Sequence, residues 1–191
     1  MMRVLAGLVL TMIGSMVSAR AQEHAPESAE YRMEEYRAPV PATLAGARVL
    51  TTAEAETIWR AGTGVFIDVL PRAPKPQNLP AGTVWRDKPR LNIPGSVWLP
   101  DTGYGKLSAA TEDYLKQGVK RASGGNAAAL IVVYCQRDCW MSWNAAKRIL
   151  SYGYRDVAWY PDGTDGWEFA GLPLADSQPQ PRAAEETPAP R

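Results

Sequence analysis

The sequence predicts an α/β fold, a central parallel sheet flanked by helices on both faces. Three observations predict it. Short apolar runs rich in β-branched residues, at 65–69 and 130–134, read as strands buried on both faces, which lose the usual polar alternation. Helical patterns follow such runs at about 51–61, 108–121 and 143–150. Gly-rich turns separate the two kinds of segment. The chain of 191 residues is long enough for one domain with a proper core.

Residues 1–21 read as a secretory signal. Arg3 supplies the positive start, Val4 to Val17 the apolar centre, and Ala19-Arg20-Ala21 the small-x-small cleavage site. The apolar run is shorter than the ~20 residues a spanning helix needs, so cleavage after Ala21 leaves no membrane span. The formal net charge is +1, and losing Arg3 and Arg20 with no acid takes it to −1. Such a balance excludes a nucleic-acid or anionic-membrane surface as the evident partner. Export places the chain in the periplasm, where thiols can pair.

Residues 22–46 form an N-terminal arm, polar and Pro-containing, with a local echo of Tyr31-Arg32 and Tyr36-Arg37. The domain spans 47–174. Ala47 to Leu50 reads as a first short strand, and Thr51-Thr52-Ala53-Glu54 as a capping box opening a helix to Ala61. The strand at 65–69 carries Asp68 near its C-terminal end, the end that faces the site in open α/β sheets. Residues 70–92 are a Pro- and Arg/Lys-rich excursion, readable as a binding loop or as a solvated connection. A turn and strand follow at 93–99, then a helix at 108–121. A short strand at 156–160 and a Gly-rich turn at 161–167 close the domain. Residues 175–191 are too polar to fold and read as a disordered tail.

The organising stretch is 130–153. Its strand runs into a tight loop holding the chain's two cysteines, Cys135 and Cys139, and then into a helix. A sulfur between strand end and helix start lies near unpaired N–H groups and a positive dipole end, which stabilise a thiolate. Arg137 adds a cation. Four residues apart, the sulfurs are close enough in sequence for Cys139 to resolve an intermediate on Cys135, for a dithiol switch, or for a static disulfide. With one histidine, His24, a His-based metal site or a Ser-His-Asp triad is excluded. Cys135, Cys139 and Met141 form a minor Cu(I) alternative; the expectation is no metal and no cofactor. Trp140, Trp143, Trp159 and Trp167 read either as an aromatic wall or as core. Asp162 and Asp165 either orient a substrate or bind a cation, or merely shape the turn.

Together, Ile67-Asp68-Val69, Ile93-Pro94-Gly95-Ser96, Tyr134-Cys135 before a helix and the closing Gly166-Trp167 resemble the rhodanese-like domain over roughly Leu50 to Leu174. The blocks Asp138-Cys139-Trp140-Met141-Ser142-Trp143-Asn144 and Trp159-Tyr160-Pro161-Asp162-Gly163-Thr164-Asp165-Gly166-Trp167 resemble a narrower group. Its members are exported rhodanese-like proteins named for a CXXCW motif and associated with PQQ-dependent catabolism. The spacing here is Cys-x-x-x-Cys-Trp. The resemblance implies that Cys135 takes a sulfane sulfur as a persulfide. It also implies that the backbone N–H groups of Gln136, Arg137, Asp138 and Trp140 cradle the anion. Asp68, Asp162 and Trp167 would border the mouth. The phosphatase relatives need a longer loop ending in Arg, and Met141 stands six residues after Cys135. The expected partner is a sulfane-sulfur donor or a thiol protein. The alternative is a non-catalytic accessory protein that binds a quinoprotein dehydrogenase or its cytochrome.

Overall fold

The computed structural model describes residues 24–84 and 89–182, so the leader and its cleavage site lie outside the described residues. Strand β1 (Arg48–Val49) leads into helix α1 (Thr52–Ala61), and β2 (Gly64–Asp68) follows. Thr51 caps α1 by the expected reciprocal box with Glu54, and Gly62 ends it in the left-handed conformation at φ 63°. Then come β3 (Arg90–Asn92), β4 (Val97–Trp98) and α2 (Ala109–Ala122), with Ser108 as the N-cap. The last elements are β5 (Leu130–Tyr134), α3 (Trp140–Ser151), β6 (Asp156–Tyr160), α4 (Gly163–Phe169) and β7 (Ala175–Ser177).

The five-stranded sheet has the order β1-β6-β5-β2-β4, and every pairing in it is parallel. Because side chains alternate across a strand, β5 feeds two layers. Ile131 and Val133 pack with α2 residues Leu115 and Val119 and α3 residues Trp143 and Ile149. Val132 and Tyr134 point the other way and pack with Ala55 of α1 and Trp167 of α4. Helices therefore cover both faces, as the uninterrupted apolar strands predict. The sulfur of Cys135 continues the first layer, on the α3 side.

Two expectations are corrected. Residues 161–167 are not a plain turn, since α4 starts at Gly163 and buries Trp167. The start of the 175–191 tail is ordered. Its β7 pairs antiparallel with β3, and Gln180 donates its backbone N–H to the Trp98 carbonyl at 2.9 Å. A three-residue strand in a polar sequence has too little apolar signal to be read in isolation. The arm packs on the domain. Its Val40 and Leu44 join the core, and the indole N–H groups of Trp140 and Trp143 donate to the carbonyls of Pro39 and Thr43.

Candidate functional site around the Cys135–Cys139 loop

Five residues of loop and cap separate β5 from α3, and they carry both cysteines. Cys135 and Cys139 are disulfide-bonded, with Cα atoms 6.5 Å apart. The turn between them closes because Asp138 takes a left-handed conformation at φ 52°, which Asp tolerates better than most residues. The N-cap of α3 is Cys139, not Cys135, and its side chain makes no capping hydrogen bond. So the sulfur nearest the helix's positive end is the second one. No acidic residue sits in the first turn of α3 to offset that field. Cys135 is fully buried and Cys139 is 2% exposed.

Two amides of the expected cradle, those of Arg137 and Trp140, are committed elsewhere. The N–H of Trp140 donates to the carbonyl of Tyr36 in the arm at 2.9 Å, beside a short antiparallel bridge between Arg37 and Cys139. The N–H of Arg137 donates to Asp165 Oδ2 at 3.3 Å. Arg37 Nη1 donates to Gln136 Oε1 at 2.8 Å. The Arg137 guanidinium turns to Asp162, Nε to Oδ1 3.0 Å, and is neutralised there. The carboxylates of Asp162 and Asp165 therefore hold the loop through Arg137. One oxygen of Asp138, Oδ1, is buried without a hydrogen-bond partner among the described residues.

Asp68 ends β2 fully buried and faces no open mouth. Its Oδ2 is 2.7 Å from Arg90 Nε, and its Oδ1 accepts the Leu70 N–H at 2.9 Å. Burial pushes the Asp68 carboxyl up, against the opposing pull of Arg90. Arg90 is the site residue that sequence reasoning did not single out. Its Nη2 lies 3.4 Å from the Cys135 carbonyl and 3.5 Å from Thr164 Oγ1. The same carbonyl accepts the Thr164 N–H at 3.1 Å. Its signal was present as one cation among several in the excursion, with nothing local to distinguish it. Trp140, Trp143, Trp159 and Trp167 are all at most 3% exposed, so they form core and not a wall. Trp167 donates its indole N–H to Pro173 and does not line the loop.

Beside the loop lies a cavity of about 380 Å³. Its lining includes Gln136, Arg90 and Thr164, the apolar Leu70, Leu91, Trp98 and Leu174, and the acids Asp165 and Glu168. A second cavity of about 240 Å³ flanks the loop's other side, between His24, Arg137, Asp138 and Asp162.

The family model of the rhodanese-like domain matches residues 86–170. No curated protein matches the sequence. Several solved structures are similar, and three of them follow. A thiosulfate sulfurtransferase from Pseudomonas aeruginosa is 19% identical over 70% of this chain and 21% of its own, with a TM-score of 0.48. This chain thus spans about a fifth of that protein. A polysulfide-sulfur transferase homodimer from Wolinella succinogenes is 19% identical over 70% of this chain and 81% of its own, with a TM-score of 0.44. An uncharacterized protein from Saccharomyces cerevisiae is 20% identical over 65% of this chain and 93% of its own, with a TM-score of 0.39.

Proposed function

We propose that this chain, which carries a rhodanese-like domain over residues 86–170, is an exported protein of sulfur-transfer and thiol–disulfide chemistry. Cys135 is the nucleophile and Cys139 its resolving partner. The single observation that carries the reading is the Cys135–Cys139 bond, set between the end of β5 and the N-cap of α3. In the reduced protein, the Cys135 thiolate attacks the outer sulfur of a sulfane donor. The donor's S–S bond breaks, and Cys135 becomes a persulfide. The Cys139 thiolate then attacks the Cys135 sulfur and expels hydrosulfide, which leaves the disulfide seen here. The sulfane sulfur is reduced by two electrons and the cysteine pair is oxidised by two. A dithiol restores the starting state. The sequence blocks around Cys139 and Trp159 support a place beside PQQ-dependent alcohol oxidation.

Mass spectrometry of a Cys139→Ser variant exposed to thiosulfate or a persulfide donor tests this. The expected result is one added sulfur on Cys135; an unmodified Cys135 sinks the transferase step.

The accessory-protein reading has one observation behind it, since both sulfurs are buried as a static bond would be. An aromatic wall of Trp140, Trp143, Trp159 and Trp167 is not open to such a partner, because those indoles are internal. A disulfide that dithiothreitol cannot reduce at neutral pH without denaturant would favour it over the redox cycle.

A further inference from the structure

We propose that residues 26–39 of the N-terminal arm are a strap over the Cys135–Cys139 bond, and that the strap must lift before a reductant reaches either sulfur. The proposal rests on the thiol–disulfide reading above and assigns control of that cycle to the arm.

Cys135 is fully buried and Cys139 is 2% exposed, so a reductant needs an opening. The two cysteines are covered by different parts of the chain. On the Cys135 side the cover is the domain itself. The Cys135 carbonyl accepts the Thr164 N–H at 3.1 Å, Gln136 bridges Gly163, and the Cys135 side chain lies in the layer of Ile131, Val133 and Trp143. An opening there breaks the packing of the sheet. On the Cys139 side the cover is the arm. Arg37 forms an antiparallel bridge with Cys139, and the Tyr36 carbonyl takes the Trp140 N–H at 2.9 Å. The Arg32 guanidinium lies 5.2 Å from the centre of the Trp140 ring.

The strap can move without the core. It leaves and returns at one place, because the Ala25 N–H donates to the Val40 carbonyl at 3.2 Å and Ala25 bridges Pro41. Compact loops with ends this close are Ω-loops. The return is anchored by Val40 and Leu44, which are buried in the core. None of residues 26–39 is itself buried, and isolated bridges stand there in place of helix or strand. Segments with so little buried apolar surface open at a lower free energy than the core. A cavity of about 330 Å³ lined by Tyr31, Arg32, Met33 and Trp140 adds to that looseness. Polar clips from α3 hold the strap down. Lys147 Nζ donates to the carbonyls of Ser28 and Ala29. Asn144 exchanges two hydrogen bonds with the Arg32 backbone, each 2.9 Å. Both clips stand beyond the first turn of α3, away from the cysteine loop.

Once the strap lifts, a thiolate of a reducing dithiol attacks one sulfur of the pair. The Cys135–Cys139 bond breaks, and the other cysteine leaves as a thiolate. The dithiol's second thiol then attacks the dithiol's own sulfur in the mixed disulfide and frees the first cysteine. The dithiol departs as a disulfide. This protein gains two electrons, and the two thiol protons end on Cys135 and Cys139.

Reduction of the full chain by dithiothreitol at neutral pH, stopped by alkylation and read by mass spectrometry, measures the opening. Hydrogen exchange of the Trp140 amide in the oxidised protein measures it independently. The first N–H groups of a helix have no partner within the helix, so the protection of this one comes from Tyr36. Two variants loosen the strap from different sides. Lys147→Met removes the clip on Ser28 and Ala29. Gly105→Ala places a methyl group against the Arg32 carbonyl oxygen, which must give way. Each is expected to speed reduction and Trp140 exchange by the same factor, at least tenfold. Phe66→Leu, in the layer on the sheet's other face, is the control. It is expected to lower the urea midpoint and leave the reduction rate unchanged, because it weakens the closed and lifted forms alike. Below the unfolding transition, the rate should rise with urea at about half the slope of global unfolding or less, since the lifted form exposes little surface. Wild-type reduction in urea-free buffer that the strap variants do not speed overturns the strap and leaves the redox reading standing. Reduction that follows the full unfolding slope in every chain, strap variants included, overturns the strap and the redox reading together.

Discussion

Asp68 and Arg90 lie 22 residues apart in sequence, and their side chains meet at 2.7 Å in a region where neither is more than 10% exposed. A buried pair of this kind is costly to break, because the survivor keeps its charge with no partner. Arg90→Leu is expected to cost about 3–5 kcal/mol at neutral pH by urea unfolding. The sign of its pH dependence follows from the direction of the shift. An acid held above its usual range in the fold takes up a proton on folding, so its penalty grows as pH rises through the folded value. Without Arg90, which pulls that value down, the rise extends further. The deficit of the variant should therefore shrink towards acid pH; a pH-independent deficit would contradict the assignment. Gly163 is a second single-residue control point. It has φ 51°, and a Cβ there would stand 2.5 Å from the Cys135 carbonyl oxygen. Gly163→Ala is expected to cost about 2 kcal/mol, from left-handed strain and from pushing the strand end that carries the sulfur. Chemical unfolding measures it.

The loop between β5 and α3 is the element on which the chemistry turns. Its disulfide closes a short ring of chain, with a separation of four residues. Chain-entropy reasoning for so small a ring gives about 2 kcal/mol of stabilisation. Reduction should lower the unfolding free energy by that amount and leave the parallel sheet's far-ultraviolet signal in place. Loss of the fold on reduction would mark the bond as structural. The strand and helix of this element were legible in the sequence because each shows its own period. The register of the helix start was not, since Trp140 to Ser142 carry no start signal and Cys139 is an unusual cap. That difference of a few residues moves the helix field from one sulfur to the other. The short α4 escaped for a related reason, as its Gly and Asp residues are turn formers that tertiary packing around Trp167 overrides.

Across the whole molecule, the arm is the least expected participant. It reaches over α3 and gives its Tyr36 carbonyl to the Trp140 N–H. The two Tyr-Arg pairs have separate tasks there. The Tyr31 ring lies 4.0 Å from the Arg148 guanidinium, and Arg37 holds Gln136 of the loop. Glu27 ties the two ends of the arm together by accepting from the Thr43 hydroxyl and the Ala45 N–H, and these bonds hold its carboxyl below the usual value of 4.5. A depressed acid stabilises fully above its unfolded value and stops doing so as pH falls through the folded one. Hydrogen exchange of residues 43–45 is therefore expected to stay slow at neutral pH and to quicken, relative to the intrinsic rate, only below about pH 4.5. Glu27→Gln should remove that acid step.

The alternation of the parallel strands with helices α1, α2 and α3, the two-sided burial of the sheet and the placing of two cysteines after β5 were determined by the sequence itself. Apolar period, caps and turns act between near neighbours, so they can be read without a fold. Only the tertiary structure decided that the Trp140 and Arg137 amides belong to Tyr36 and Asp165, that Arg90 stands behind Cys135, and that the indoles are internal. Each of those rests on a hydrogen bond or contact between distant residues, whose partners are chosen by packing and by the need to satisfy every buried polar group.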